Sequence, residues 1–270
     1  MLIFAIKENK NNKVTTFAHL VYFERAKEFH IDIMDDVSKW EAPLIISSFI
    51  KKGKKSVDAN FSKLWVRQRI IPSDRQNLGQ ILKNNNMSEY DEFQLLLASR
   101  GRCAQDDYYI SPISKTEYQK AYSERLKKRV LDVTPLSNQN ILVFFADKTV
   151  KKVNTSDAQL SIRVLDYLNN DNNFTLVEPI IGGYGVKWGN IAQIDNEKLY
   201  EIGIDIGLTL NDFAKFAKHG ILSASEAANK LNCSRQNISL LCRSGKLQNL
   251  SDFSENTEFL ASEVYQRAWH

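Results

Sequence analysis

The chain has 270 residues, 43% of them apolar and 25% charged, with a formal net charge of +4. That composition suits packed cores rather than disorder, and the length accommodates two or three small domains. The net charge is too mild to argue nucleic-acid binding from the whole chain, and no apolar run approaches the roughly 18–20 residues of a membrane span, so no membrane partner is expected.

The three cysteines, Cys103, Cys233 and Cys242, form no Cys-x-x-Cys pair. This pattern fits a reduced, cytoplasmic protein without structural zinc. Charge is unevenly spread. In the stretch Lys51–Arg75 the cations Lys51, Lys52, Lys54, Lys55, Lys63, Arg67, Arg69 and Arg75 are offset only by Asp58 and Asp74. In Lys218–Lys246 the cations Lys218, Lys230, Arg235, Arg243 and Lys246 are offset only by Glu226.

Leu2–Ile6 and Val14–Phe23 are apolar runs separated by a polar stretch, which predicts a β-hairpin. Met1–Lys7 is too short and wrongly flanked for a signal peptide and reads as a first strand. Residues 38–71 predict two helical pieces broken near Pro43 and Gly53, with Phe61, Leu64, Trp65 and Ile71 as a buried stripe. Pro72 ends that piece, and Ser73 or Asp74 is expected to cap a helix over 75–83. Tyr90-Asp91 opens a further short helix closed by Gly101, and Tyr108–Ile110 is a short strand ahead of Pro112.

The run from Leu64 to Leu78, with Ile81-Leu82, Tyr90-Asp91, Gly101 and Asp106-Asp107-Tyr108, resembles leader regions found ahead of HipA-like kinase domains in phage and mobile-element proteins. The resemblance implies a mobile-element setting rather than an activity. No Gly-rich phosphate loop and no His-Arg-Asp catalytic loop follows. Trp65 and Ile71 read as core, and Arg67, Arg69 and Arg75 as solvated or paired with Asp74, Asp106 and Asp107. The cations of Lys51–Arg75, interleaved with Phe49, Phe61 and Trp65, leave a second nucleic-acid surface open.

Residues 116–129 are charged and helical in pattern, through Tyr118, Tyr122 and Leu126, and read as a connector. Val130–Val153 is rich in β-branched and aromatic residues, with turn signals at Ser137-Asn138 and Asp147-Lys148, and predicts two or three antiparallel strands. Residues 157–168 form an amphipathic helix through Leu160, Val164, Leu165 and Leu168. Phe174–Ile181 and Tyr184–Trp188 flank Gly182-Gly183, which reads as a hairpin turn. The segments Leu142–Thr149, Val186-Lys187-Trp188 and Leu199-Tyr200-Glu201 resemble those of a small bacterial domain of unknown function often found beside DNA-binding modules. That resemblance bears on fold and is nearly silent on activity.

The run Leu222–Leu241 carries the clearest pattern. Ser223 with Glu226 three residues on is a capping box, so a helix starts there. Ala227, Ala228 and Leu231 give it a small-residue apolar face suited to a close helix crossing. Asn232 stands where a left-handed turn residue is expected, and Asn tolerates that conformation better than most residues. Ser234 is an N-cap for a second helix whose buried face is Ile238 and Leu241. Arg243-Ser244-Gly245-Lys246-Leu247 ends it, Phe259-Leu260 returns a β-wing, and 261–269 form a closing helix.

These positions resemble the helix-turn-helix of excisionase-like and MerR-like regulators, with Asn232 in place of the commoner Gly. The resemblance implies double-stranded DNA as partner. With Ile238 and Leu241 inward, the outward set is Ser234, Arg235, Gln236, Ser239 and Arg243. Arg pairs bidentately with guanine and Gln with adenine, which makes Arg235 and Gln236 the expected base readers. Ser234, Arg243 and Lys246 are expected on phosphates.

Other chemistry finds no motif. His19, His30, His219 and His270 have no metal-like neighbour at helical spacing, and no lysine-bearing nuclease pattern frames Asp35-Asp36 or Asp106-Asp107. Gly182-Gly183-Tyr184-Gly185 lacks the context and the Lys-Ser/Thr ending of a phosphate loop. The expectation is therefore a non-enzymatic, multidomain α+β protein without cofactor or metal. Its expected parts are an α+β domain over 1–115, a small α+β domain over 116–205, and a winged helix-turn-helix over 206–270. The expected function is transcriptional regulation of a phage or mobile element by a homodimer. The alternative is an inhibitor of a host defence protein (as anti-CRISPR proteins are) or an antitoxin, binding a protein partner through residues 1–205 while the helix-turn-helix represses its own gene.

Overall fold

Two apolar strands joined at a polar turn build the first sheet. In the computed structural model, which describes residues 1–10, 12–251 and 257–268, β1 (Leu2–Lys10) and β2 (Lys13–Phe23) pair antiparallel with Phe4 opposite Leu20. β3 (Glu28–Ile33) follows, then α1 (Leu44–Lys51), β4 (Ser56–Val57), α2 (Ala59–Arg67), α3 (Leu78–Asn84), α4 (Glu92–Ser99), β5 (Tyr108–Pro112), α5 (Lys115–Ala121) and α6 (Ser123–Lys127). The five strands form one antiparallel sheet in the order β4-β3-β2-β1-β5.

Both faces of this sheet are covered, so its central strands are buried throughout rather than alternating. Phe4, Ile6, Leu20, Phe29 and Ile31 point to one face and pack with Ile46, Phe49, Trp65 and Leu96. Ile3 and Val21 point to the other and pack with Tyr118 and Tyr122. The expected connector is thus a covering layer: Tyr118, Tyr122 and Leu126 stand four apart and present one stripe to the sheet.

Two local expectations are corrected. α2 buries Ser62, Trp65 and Val66, while Phe61 and Leu64 are exposed, because the face meeting the sheet lies one step round the helix from the expected stripe. Neither Ser73 nor Asp74 caps α3, which begins at Leu78 behind Asn77. The Asn77 carboxamide oxygen, the acceptor that would cap it, takes the Arg75 Nε–H instead at 3.0 Å. α4 follows expectation: the Asp91 side chain accepts from Gln94 N–H at 2.8 Å, and left-handed Arg100 and Gly101 close it.

The next part comprises β6 (Val130–Pro135), β7 (Asn140–Phe145), β8 (Thr149–Asn154), α7 (Ile162–Leu168), α8 (Asp171–Phe174), β9 (Glu178–Pro179), β10 (Gly185–Trp188), β11 (Ala192–Asp195), α9 (Asn196–Ile202) and β12 (Ile204–Thr209). Two antiparallel sheets, β12-β8-β7-β6 and β11-β10-β9, enclose a core of Ile141, Val143, Phe145, Trp188 and Leu199. The predicted helix over 157–168 is interrupted: Gln159 adopts a left-handed conformation after a single turn at 155–158, and the helix proper starts at Ile162. Gly182-Gly183 is not a two-residue hairpin turn. Both glycines have positive φ in a longer loop, and Phe174 lies in α8 with its carbonyl accepting from Trp188 Nε1 at 2.9 Å.

The last part comprises α10 (Leu210–Gly220), β13 (Ile221–Ser223), α11 (Ala224–Lys230), α12 (Arg235–Arg243), β14 (Glu258–Leu260) and α13 (Ala261–Ala268). Its core is separate: Leu222, Ala227, Ala228, Ile238, Leu247, Phe259, Ala261 and Val264. The Phe213 ring of α10 meets Phe144 of β7 edge-on at 5.3 Å.

The chain divides into two compact units, residues 1–127 with 180–184, and 128–179 with 185–270. Helices α5 and α6 therefore belong with the first unit rather than with the middle segment. The expected boundary at 205 falls inside β12, and the second unit holds two distinct cores. No described helix is long and apolar enough to cross a membrane.

Candidate nucleic-acid interface

The Ser223 cap forms from both sides. Ser223 Oγ accepts from Glu226 N–H at 3.4 Å, and Glu226 Oε2 accepts from Ser223 N–H at 2.8 Å and from its hydroxyl at 2.7 Å. The side-chain bond first, then the backbone bond, holds the Glu226 carboxyl below its ordinary pKa. α11 then runs to Lys230, with Ala227 and Ala228 buried where a larger side chain would hold the next helix away. Asn232 turns the chain at φ +48°, the left-handed position that its sequence context requires. The Cys233 N–H returns to the Ala228 carbonyl at 3.0 Å, and the Cys233 side chain packs on the core.

Ser234 caps α12, its Oγ accepting from Asn237 N–H at 3.2 Å. Ile238 is 1% exposed, and Leu241 and Cys242 pack beside it. Gly245 at φ +65° ends the helix, and the Lys246 N–H donates to the Leu241 carbonyl at 2.9 Å. Two short helices thus stand either side of a four-residue turn, 231–234, with their apolar faces in one core.

The opposite face of α12 is bare. Ser234, Arg235, Gln236, Ser239, Arg243 and Lys246 are all exposed, and helical spacing puts Arg235, Gln236, Ser239 and Arg243 on one side of α12. From Leu231 to Lys246 there is no Asp or Glu. Among the described residues, Arg235, Arg243 and Lys246 form no ion pair. Ser239 is partly occupied, its hydroxyl donating to the Arg235 carbonyl at 3.3 Å. Two further side chains of α12 are exposed: Asn237, and Leu240 at 59% exposure. Completing the helical turn around buried Ile238 would have included both. The exposed backbone N–H groups at the start of α12 add partial positive charge to this end.

The wing differs from expectation. β14 pairs not with the segment after α12 but with β13, which precedes α11: Leu222 lies opposite Phe259 and Ser223 opposite Glu258. Between α12 and β14 the described chain forms no strand; the Leu250 N–H reaches the Glu258 carbonyl at 2.8 Å, and the Glu258 N–H donates to the Asn249 side-chain oxygen at 3.1 Å. Residues 252–256, the expected wing tip, and Trp269, expected in the closing helix, lie outside the described residues.

Several cations of the first unit are paired internally. Arg67 pairs with Glu92 at 2.6 Å, and Arg69, buried against the Trp65 ring at 3.9 Å, pairs with Asp106. Trp65 and Phe49 are buried and offer no aromatic platform among the basic residues of Lys51–Arg75, whereas Phe61 is 45% exposed. On the sheet face under α5 and α6 lies a buried polar network that no sequence motif announced. The Asp32 carboxylate, 0% exposed, accepts from Tyr118 Oη at 2.5 Å, from Tyr184 Oη at 2.8 Å, and from Arg125 at 3.4 Å. Tyr122 Oη donates to the Asp32 carbonyl at 2.8 Å, which assigns His19 Nδ1 as the donor to Tyr122 Oη, also at 2.8 Å. Burial outweighs the nearby Asp32 charge and pushes the His19 pKa down to about 4. His30 stacks face to face on Tyr184 at 4.0 Å. The signal for this network was the spacing His30-x-Asp32, which puts both side chains on one strand face.

Among the described residues no three His, Cys, Asp or Glu side chains converge to hold a metal ion. Compared with known proteins, the chain matches no family model, no curated protein and no solved structure.

Proposed function

We propose that this protein is a cytoplasmic, sequence-specific DNA-binding regulator of transcription, with α12 as the recognition helix. One observation carries the reading: a capped helix buries Ile238 and leaves Arg235, Gln236, Ser239 and Arg243 exposed, free of carboxylate partners, in an acid-free stretch. A helix presented this way enters the major groove with its first residues toward the base edges. Arg235 and Gln236 then read guanine and adenine, and Leu240 contacts a thymine methyl. Ser234, Arg243 and Lys246 contact phosphates and set the register. A single helix of this length gives weak specificity. The proposal therefore includes a homodimer on two half-sites about 34–36 Å apart, with repression of its own gene in a phage or mobile element.

The test is binding of the full-length protein to duplex DNA from upstream of its own gene, across a salt series, against a scrambled duplex. Arg235→Ala and Gln236→Ala should each weaken specific binding by about 1–3 kcal/mol and leave scrambled-duplex binding unchanged. Lys246→Ala should weaken both duplexes alike and reduce the salt slope by about 0.9. Equal affinity for both duplexes, unmoved by Arg235→Ala and Gln236→Ala, would sink the reading and direct attention to a protein partner of residues 1–205.

A further inference from the structure

Large apolar side chains stay in water only where no core receives them or where a partner will. Trp40 and Leu44 are 79% and 85% exposed, and they flank the start of α1. Two lysines stand over the Trp40 ring. Lys39 Nζ lies 5.2 Å and Lys51 Nζ 5.7 Å from the Trp40 ring centroid, and Lys52 Nζ lies 5.8 Å from the Phe49 ring. From Asp35 to Lys55 there are five lysines against three carboxylates. One of those carboxylates, Asp35, is engaged by Lys55 at 2.9 Å. Among the described residues Lys39, Lys51 and Lys52 form no ion pair.

We infer that this surface binds single-stranded nucleic acid, the Trp40 indole stacking on an unpaired base while Lys39, Lys51 and Lys52 hold the adjoining phosphates. An aromatic face can stack on a base only where the base is out of a duplex, and every base offers a π-face, so such a platform needs no sequence preference. The lysines already positioned within cation–π range of the ring are the electrostatic half of the same site. A bilayer surface fits less well. The apolar side of α1 (Ile45, Ile46, Phe49 and Ile50) packs on the core, which leaves no continuous apolar strip to lie in a membrane interface. The site is remote in sequence from α12 and does not depend on duplex recognition by that helix.

The test uses the full-length protein carrying Trp269→Phe, Arg235→Ala and Gln236→Ala. In this background the exposed emission comes from Trp40, since Trp65 and Trp188 are 1% and 0% exposed, and the proposed recognition helix is disarmed. Titration with an oligothymidylate of about 20 nucleotides at low salt should quench that emission saturably. Adding Trp40→Ala should remove the quenching and weaken binding, read by anisotropy of a labelled oligonucleotide, at least about fivefold, with Trp40→Phe restoring most of it. Lys51→Ala with Lys52→Ala should lower the salt slope by about 1.4. The proposal is overturned if the oligonucleotide neither quenches nor binds, if Trp40→Ala binds as tightly as its parent, or if only anionic vesicles engage Trp40.

Discussion

Two regions of this molecule are rich in polar and charged side chains, and they use them in opposite ways. Under α5 and α6, Asp32 and Tyr122 are enclosed, and Asp32, His19, Tyr118, Tyr122, Tyr184 and Arg125 satisfy one another. On α12, Arg235, Gln236 and Arg243 are exposed and carry no carboxylate partner among the described residues. A buried polar group without a partner is costly, so the first region must be closed on itself to exist at all. A solvated cation has no such obligation, so its lack of partners leaves it available to a phosphate or a base. Internal satisfaction points to architecture and exposed vacancy to recognition.

The largest effect should come from breaking the closed region. Asp32→Ala removes the acceptor of Tyr118, Tyr184 and Arg125, while Arg125 stays anchored to the Ile33 carbonyl at 2.6 Å. Removing the buried acceptor of two buried hydroxyls and one partner of half-buried Arg125 should destabilise the first unit by about 2–3 kcal/mol, read as lost hydrogen-exchange protection in β2 and β3. Arg235→Ala, the converse case, should change stability by no more than about 0.5 kcal/mol. A large stability loss from Arg235→Ala would erase the distinction between the two regions.

The two regions also differ in how well the sequence announced them. The α11–α12 pair was legible because each feature is local: a capping box, two small residues, an Asn at the turn, a second cap, and an apolar residue four on from that cap. Five of the six exposed positions, Ser234, Arg235, Gln236, Ser239 and Arg243, followed from that register, and Lys246 lies beyond the helix. The Asp32 network was only partly legible: His30-x-Asp32 on one strand face and the Tyr118/Tyr122 stripe are local spacings, but the meeting of β2, β3, α5, α6 and the loop at 180–184 is a tertiary event that no spacing shows. The role of 116–127 was missed for a related reason. Its stripe was visible, but the sheet face that needed covering was not. The wing failed because pairing partners are a tertiary choice: Phe259 in an apolar strand was correct, but the strand it joins lies before α11.

An intermediate effect should appear with pH. His19 is held neutral by burial, with its pKa lowered to about 4 from an ordinary 6.5. Between these values the unfolded chain binds a proton that the folded one excludes, so the stability contributed by neutral His19 is present above pH 6.5 and is lost as pH falls toward 4. From pH 7 to pH 5 the first unit should lose roughly 2 kcal/mol, in a window above the titration of ordinary carboxylates. His19→Gln should be less stable at pH 7 and should lose most of that slope. A wild-type profile flat between pH 7 and pH 5 would show that the imidazole is reached by water and that the region is less closed than its geometry implies. DNA binding through α12 should show no matching step, since no histidine lies in that helix or its flanking turns.

The smallest effect tests the turn that orients the open face. Asn232 sits at φ +48° and is exposed, so its role is conformational and not a matter of burial. Ala at that position meets the steric penalty of the left-handed region, about 1 kcal/mol, and should reduce exchange protection in α11 and α12 by that amount. Gly removes the steric penalty but loses more backbone entropy on folding, so Asn232→Gly should stay within about 0.5 kcal/mol of the parent. Specific DNA affinity, measured well below the melting range, should survive Asn232→Gly because the angle between the helices is unchanged. If Asn232→Gly folds normally yet loses the operator, the Asn232 side chain itself belongs to the recognition surface, and the proposed contact set starts two residues before Ser234.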